Sequence, residues 1–125
     1  MSAIATKNLI AVVDDDELVR GALQRLLKAS GLGAVSFGSA EDLLKSGQLP
    51  DIACLIVDIR MPGMSGLELQ AKLKAERCRI PIIFITAHGD AKTRSQALRD
   101  GAVKFLAKPF DNTVLLEAVH AALED

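Results

Sequence analysis

Six polar residues of this 125-residue chain stand where apolar runs end. Asp14, Asp15 and Asp16 follow Asn8-Leu9-Ile10-Ala11-Val12-Val13, and Asp58 closes Ile52-Ala53-Cys54-Leu55-Ile56-Val57. Thr86 closes Ile82-Ile83-Phe84-Ile85, and Lys108 comes just after Ala102-Val103-Lys104-Phe105-Leu106. Carboxylates crowded together in this number repel one another. A hard divalent cation relieves that repulsion, and Mg2+ prefers one or two carboxylates together with waters and a phosphate. A threonine hydroxyl can donate a hydrogen bond, and a lysine brings one compact positive charge. These groups describe a site for a phosphoryl group on or beside Asp58, worked by positioning and charge neutralisation. That chemistry requires four strand ends to meet along one edge.

The rest of the sequence supplies such an edge. The runs ending at Val13 and Asp58 have the length and β-branched content of strands buried on both faces. A brief strand at Ala34-Val35-Ser36-Phe37, a fourth at Ile82–Thr86 opened by Pro81, and a fifth over Ala102–Leu106 complete the set. Between them lie amphipathic stretches. Val19, Ala22, Leu23, Leu26 and Leu27 form one helical stripe that Gly31 ends. Ser39 caps a short helix reaching toward Gly47, with Glu41 and Asp42 in its acidic first turn. A third helix follows Gly66, with Glu68 and Lys72 spaced i,i+4. Ala91 to Asp100 is a polar helix ended by Gly101, and Asp111 caps a last helix carrying Val114, Leu115, Ala118 and Ala122. Strand and helix alternate five times, which predicts a parallel sheet covered on both faces. Right-handed crossovers narrow this to a doubly wound, flavodoxin-like (βα)5 domain with strand order 2-1-3-4-5. Strand-end residues of such a sheet line the crevice where ligands bind.

Composition sets limits on partners. Sixteen acidic against fifteen basic residues leave a net charge of −1, which gives no global attraction to nucleic acid or to an anionic membrane. The apolar runs are too short for a membrane span, and the N-terminus lacks a basic region followed by a hydrophobic core. A cytoplasmic protein of one domain, 1–125, is expected. Cys54 and Cys78 form no C-x-x-C pair and read as free thiols, Cys54 packing as a small hydrophobe.

Val13-Asp14-Asp15, Val57-Asp58 with Met61-Pro62 and Gly66 behind it, Ile85-Thr86-Ala87, and Gly101-Ala102 followed by Phe105 and Lys108-Pro109-Phe110 together resemble the receiver domains of bacterial two-component response regulators. The resemblance runs from about Leu9 to about Leu123, with each motif at its own strand end. It implies that Asp58 is the phosphorylated aspartate. It implies that Asp14 and Asp15 hold Mg2+, with Asp15 the more direct ligand and the backbone carbonyl of Arg60 a further one. Thr86 matches the switch hydroxyl and Lys108 the phosphate-binding lysine. Phe105 matches the aromatic that turns inward on activation, and Lys108-Pro109 a peptide bond that is typically cis. Asp16 is better placed to cap the first helix than to bind metal.

Arg60 before Met61-Pro62, His88-Gly89-Asp90 after Thr86, and Gly101-Ala102-Val103 are similar to the FixJ-like branch, whose members typically carry a helix-turn-helix DNA-binding domain. The expected function is a signalling switch that accepts a phosphoryl group from a sensor histidine kinase. Homodimerisation is expected through the face made by the fourth helix, fifth strand and last helix. DNA would be reached only through an output domain beyond this chain. The alternative is a stand-alone regulator acting by protein–protein contact. Catalysis would be self-directed, confined to phosphoryl uptake and autodephosphorylation, and no enzyme activity on free substrates is expected.

Taken singly, each of these residues has an ordinary explanation. An aspartate run before a helix caps it, a lysine before a proline is solvated, and His88, His120 and the Lys92, Arg94, Arg99 group are solvent-facing. Their joint placement at four strand ends favours the functional reading. Other functions fit less well. Haloacid-dehalogenase-type phosphatases place a second aspartate two residues after the nucleophile, where this chain has Arg60. A flavin carrier needs a Ser/Thr/Gly-rich phosphate loop after the first strand, where this chain has three aspartates. Receiver-like modules that are not phosphorylated usually lose a site residue, and all are retained here.

Overall fold

A computed structural model describes residues 9–87 and 89–124. Five apolar stretches form the strands β1 (Leu9–Val13), β2 (Gly33–Phe37), β3 (Ile52–Asp58), β4 (Ile82–Thr86) and β5 (Lys104–Ala107). The helices are α1 (Glu17–Ala29), α2 (Ala40–Lys45), α3 (Gly66–Ala75), α4 (Ala91–Arg99) and α5 (Asn112–Glu124), and a 3-10 turn over Leu49–Asp51 leads into β3. The strands pair in parallel in the order β2-β1-β3-β4-β5. This is the doubly wound (βα)5 arrangement that the alternation predicts. The order reverses between β1 and β3, which opens the crevice at the ends of those two strands.

Period-two alternation divides the core between the two faces of the sheet. Ala11, Val13, Leu55, Val57 and Phe84 pack with Leu43 of α2, Leu69 and Leu73 of α3, and Ala97 of α4. Ile10, Val12, Ile56, Ile83 and Ile85 pack with Leu23 and Leu27 of α1 and with Leu115 and Val119 of α5. The three central strands are therefore apolar up to their last residues, Asp58 of β3 and Thr86 of β4, whereas β5, at the edge, exposes Lys104 and buries Phe105. Cys54 lies in the second layer and Cys78 is half-buried; both are free thiols. Burial pushes the Cys54 thiol up to about 12, so it remains protonated at neutral pH.

Side-chain caps set where each helix starts. Asp16 accepts from the N–H groups of Leu18 and Val19, Ser39 from Asp42, Asp90 from Thr93 and Asp111 from Thr113. At α3, Ser65 and Glu68 form a reciprocal capping box. The expected Glu68–Lys72 pair is thereby displaced: Glu68 faces the helix start, and Lys72 instead pairs with Glu76 at 3.0 Å. The fifth strand also begins later than Ala102. The N–H of Ala102 donates to the Ala97 carbonyl, so this residue still caps the C-terminal end of α4. Ala22, assigned to the apolar stripe of α1, is exposed, and Leu23 and Leu27 carry the packing. The expected start of the first strand at Asn8 lies outside the described residues.

Gly66 shows how tightly the sheet edge is built. A Cβ there would lie 2.5 Å from the Asp58 carbonyl oxygen and 3.0 Å from Ile59 Cα. The Gly66 N–H also donates to the Ile59 carbonyl at 2.8 Å, closing the loop that follows Asp58. Replacing Gly66 with Ala should destabilise the fold by about 2 kcal/mol through overpacking against main chain, read as a lowered urea midpoint with an unchanged slope.

Candidate functional site

Asp14 ends β1 fully buried, and every polar group it offers is engaged. Its N–H donates to the Phe37 carbonyl, which extends the β1–β2 ladder by one residue. Its carbonyl accepts from Arg20 Nη1 at 2.8 Å. Its Oδ1 accepts from the Asp16 N–H at 2.8 Å and its Oδ2 from Lys108 Nζ at 2.9 Å. Asp15 is exposed beside it, while Asp16 turns away to cap α1. Asp16 is thus the helix cap that the sequence predicts. Asp14 is tied into the protein, and the Asp15 carboxylate is open to solvent.

Asp58 ends β3 and is 7% exposed. The Ile59 N–H reaches the Ile85 carbonyl, so β3 is held to β4 up to the point where Asp58 leaves the sheet. Its Oδ1 accepts from the Arg60 N–H at 3.3 Å, and its Oδ2 lies 3.5 Å from Lys108 Nζ. Lys108 reaches this position because its own N–H donates to the Thr86 carbonyl at 2.7 Å, continuing the β4–β5 ladder. The Lys108–Pro109 bond is cis, as the resemblance implies. One ammonium therefore spans two carboxylates from different strands.

Burial raises the Asp58 carboxyl above the usual carboxylate range, and the charge of Asp14 adds to this; Lys108 and the Arg60 N–H pull the other way. Burial pushes the Lys108 ammonium down, but its hydrogen bond to Asp14 and the charges of both aspartates outweigh that and raise it. Carboxylate oxygens of Asp14, Asp15 and Asp58 can lie within 4.8 Å of one another. Three carboxylates against one ammonium leave uncompensated negative charge, all of it on oxygen. Such a donor set fits a hard cation such as Mg2+.

Thr86, at the end of β4, is 1% exposed. Phe84 pairs with Phe105 across β4 and β5, so Thr86, two residues on, shares a sheet face with that ring. A Cβ on Gly89 would lie 2.6 Å from the Phe105 ring and 2.9 Å from Thr86 Cγ2, so both side chains border the same gap. Phe105 is 9% exposed and already packed inward. Arg60 has an exposed side chain, as do His120, Lys92, Arg94 and Arg99. His88 lies outside the described residues. Arg20, which fixes the Asp14 carbonyl, carries no signal in the sequence, because its partner is main chain. Glu41 goes unrecognised in the same way: it reads as an acidic first-turn residue, yet its Oε2 accepts from the Met64 N–H at 2.9 Å.

The raised Asp58 carboxyl has a consequence for stability. The folded state holds the Asp58 proton to higher pH than the unfolded chain does, so folding loses stability as pH rises from the ordinary carboxylate range through the raised value. Above that window the cost is constant. Asp58→Asn removes it and leaves Lys108 paired with Asp14. Without metal at pH 7, the variant should melt at a higher temperature than the wild type. The advantage should vanish below the ordinary carboxylate pKa, and calorimetry across pH reads both.

Residues 10–120 match the response regulator receiver domain family. Nodulation protein W of Bradyrhizobium diazoefficiens is 47% identical over 121 residues, covering 96% of this chain and 53% of that protein. The transcriptional regulatory protein FixJ of Azorhizobium caulinodans is 42% identical, covering 91% of this chain and 54% of that protein. The chain spans about half the length of these curated relatives. The crystal structure of FixJ-N superposes with a TM-score of 0.82 at 41% identity, covering 93% of each chain. The structure of StyR does so at 0.88 and 44% identity, covering 94% of this chain and 60% of that one. The chain belongs to the receiver domains of two-component response regulators, in their FixJ-like branch.

Proposed function

We propose that this receiver takes a phosphoryl group onto Asp58 from a phosphohistidine of a sensor kinase, in a Mg2+-dependent step. The observation that carries the reading is the meeting of the Asp14, Asp15 and Asp58 carboxylates, with Lys108 Nζ reaching Asp14 and Asp58. A carboxylate oxygen of Asp58 attacks phosphorus as the P–N bond breaks. The imidazole nitrogen leaves with the bonding pair and takes up a proton. Mg2+, held by Asp14, Asp15, Asp58 and the Arg60 carbonyl, would supply neutralising charge to the transferring group. Lys108 already faces Asp58 and adds its own positive charge there. Reset is hydrolysis: water attacks phosphorus, inorganic phosphate departs and the Asp58 carboxylate returns. The domain acts only on its own aspartyl phosphate and is no enzyme toward free substrates.

The phosphoryl group would draw in the Thr86 hydroxyl, with Phe105 held beside it, and bias the surface made by α4, β5 and α5. The loose anchoring of that surface supports this: among the described residues of α4, Ala97 alone is fully buried. Leu98 and Val103 are exposed at 38% and 39%, which suits a homodimer contact formed on activation. The kinase would approach from the other side of the site. There Val19, Leu23, Leu26, Pro109 and Phe110 line an apolar hollow reaching Lys108, and Leu18 stands 83% exposed. The lengths of the relatives support a receiver that controls a DNA-binding output domain in a longer transcriptional regulator. A stand-alone regulator acting by protein contact is the alternative. Either would work in the cytoplasm, and among the described residues no helix is long and apolar enough to cross a membrane.

With Mg2+ and acetyl phosphate the wild type should gain one acid-labile phosphoryl group by intact mass, and Asp58→Asn should gain none. Incorporation by the variant at the wild-type rate would refute the assignment. Thr86→Ala should still be phosphorylated but should lose most of the phosphorylation-induced dimer seen by light scattering. Leu18→Glu should slow transfer from a phosphorylated sensor kinase by about tenfold, the cost of one interface contact of about 1.4 kcal/mol, with acetyl phosphate uptake unchanged.

A further inference from the structure

The loop after Asp58 is held from three directions, and one hold comes from a distant element. At its base the Gly66 N–H bonds the Ile59 carbonyl, and at its far end Ser65 and Glu68 close the capping box. Between these, the Met64 N–H donates to Glu41 Oε2 of α2, 23 residues away in sequence. Glu41 is itself fixed, because Ser39 caps its helix and the neighbouring Ala40 and Leu43 are fully buried. Gly63 lets the carboxylate approach: a Cβ there would lie 2.5 Å from Glu41 Oε2, and its φ of +77° disfavours any side chain. The Met64 hydrogen bond is the main reason the Glu41 carboxyl lies below its ordinary value, so the acceptor is ionised at neutral pH. Arg60 sits inside this clamped segment.

We propose that Glu41 is a positioning residue for the acceptor site, holding residues 59–65 in the shape that presents the Arg60 carbonyl to the cation. This rests on the phosphoryl-acceptor reading above, in which that carbonyl is a metal ligand. Outer partners that orient ligands characteristically alter metal affinity when removed, without themselves touching the ion. Glu41 also ties α2 to the β3–α3 loop, so the two sides of the β1–β3 crevice are set against each other.

The test uses the full chain and two readouts. In metal-free protein, amide exchange at Met64 should accelerate about tenfold in Glu41→Ala, the loss of about 1.4 kcal/mol of local protection. Exchange should stay near wild type in Glu41→Gln, which keeps a carbonyl acceptor. By Mg2+ titration, Glu41→Ala should bind on the order of tenfold more weakly, with Glu41→Gln restoring most of the affinity and the urea midpoint little changed. Gly63→Ala, which leaves Glu41 intact but forces the loop away from it, should weaken Mg2+ in the same direction. Unchanged Met64 exchange in Glu41→Ala overturns the proposal. Equal Mg2+ affinity in Glu41→Ala and a wild type that binds the ion overturns the positioning role alone. No Mg2+ binding by the wild type overturns the acceptor-site reading, and the positioning role with it.

Discussion

Lys108 holds the site together. Its ammonium lies 2.9 Å from Asp14 and 3.5 Å from Asp58, two buried carboxylates on adjacent central strands. The lysine opposes the burial that raises the Asp58 carboxyl, and a neutral Asp58 would be a poor nucleophile in the proposed reaction. One lysine balances only part of the charge that Asp14, Asp15 and Asp58 bring together. The remainder suits a hard divalent cation. The fold tolerates an electrostatic deficit at one edge, and the proposed chemistry would use that deficit.

What surrounds the pair is rigid where the chemistry needs rigidity. The β1–α1 loop is held by Arg20 on the Asp14 carbonyl and by the cap that Asp16 makes on α1. The β3–α3 loop is held by Gly66, by the Ser65–Glu68 box and by Glu41. The approach to Lys108 is a continuation of the β4–β5 ladder through the Thr86 carbonyl. Asp14, Asp58, Thr86 and Lys108 therefore stand at the last residue of a paired strand or one beyond it, each with its main chain already bonded. Positioning of this kind lowers the reorganisation required when charge moves in the reaction.

The far side of the sheet is built differently. α4 is polar and contributes one fully buried residue, Ala97, to the core, while β5 is a four-residue edge strand. Gln70 of α3 compensates in part by donating from Nε2 to the Ala97 carbonyl at 3.0 Å. Elements with so little apolar burial sit at the low end of local stability. The proposed switch would pass a small change at Thr86 and Phe105 to their surface, since those side chains share a sheet face and border the same glycine. The rigid and the loosely held halves meet at β4.

Five strands, their order and the residues at their ends were legible in the sequence because they rest on local rules. Unbroken apolar runs mark strands buried on both faces, alternation with amphipathic helices implies a parallel sheet, and crossover handedness leaves few topologies to choose from. That Asp16 caps α1 was legible for the same reason, since a helix cap is a local feature. Two local features override the pattern: Glu68 has Lys72 at the right spacing but closes its own capping box, leaving Lys72 to Glu76, and the fifth strand starts late because the Ala102 N–H caps the end of α4. Tertiary structure alone decided the longer-range pairings. Arg20 and Glu41 act on main-chain groups, and no side-chain pattern encodes which carbonyl or N–H will face them. Periodicity records which residues are buried, whereas the partner of a polar group depends on where two distant segments come to rest.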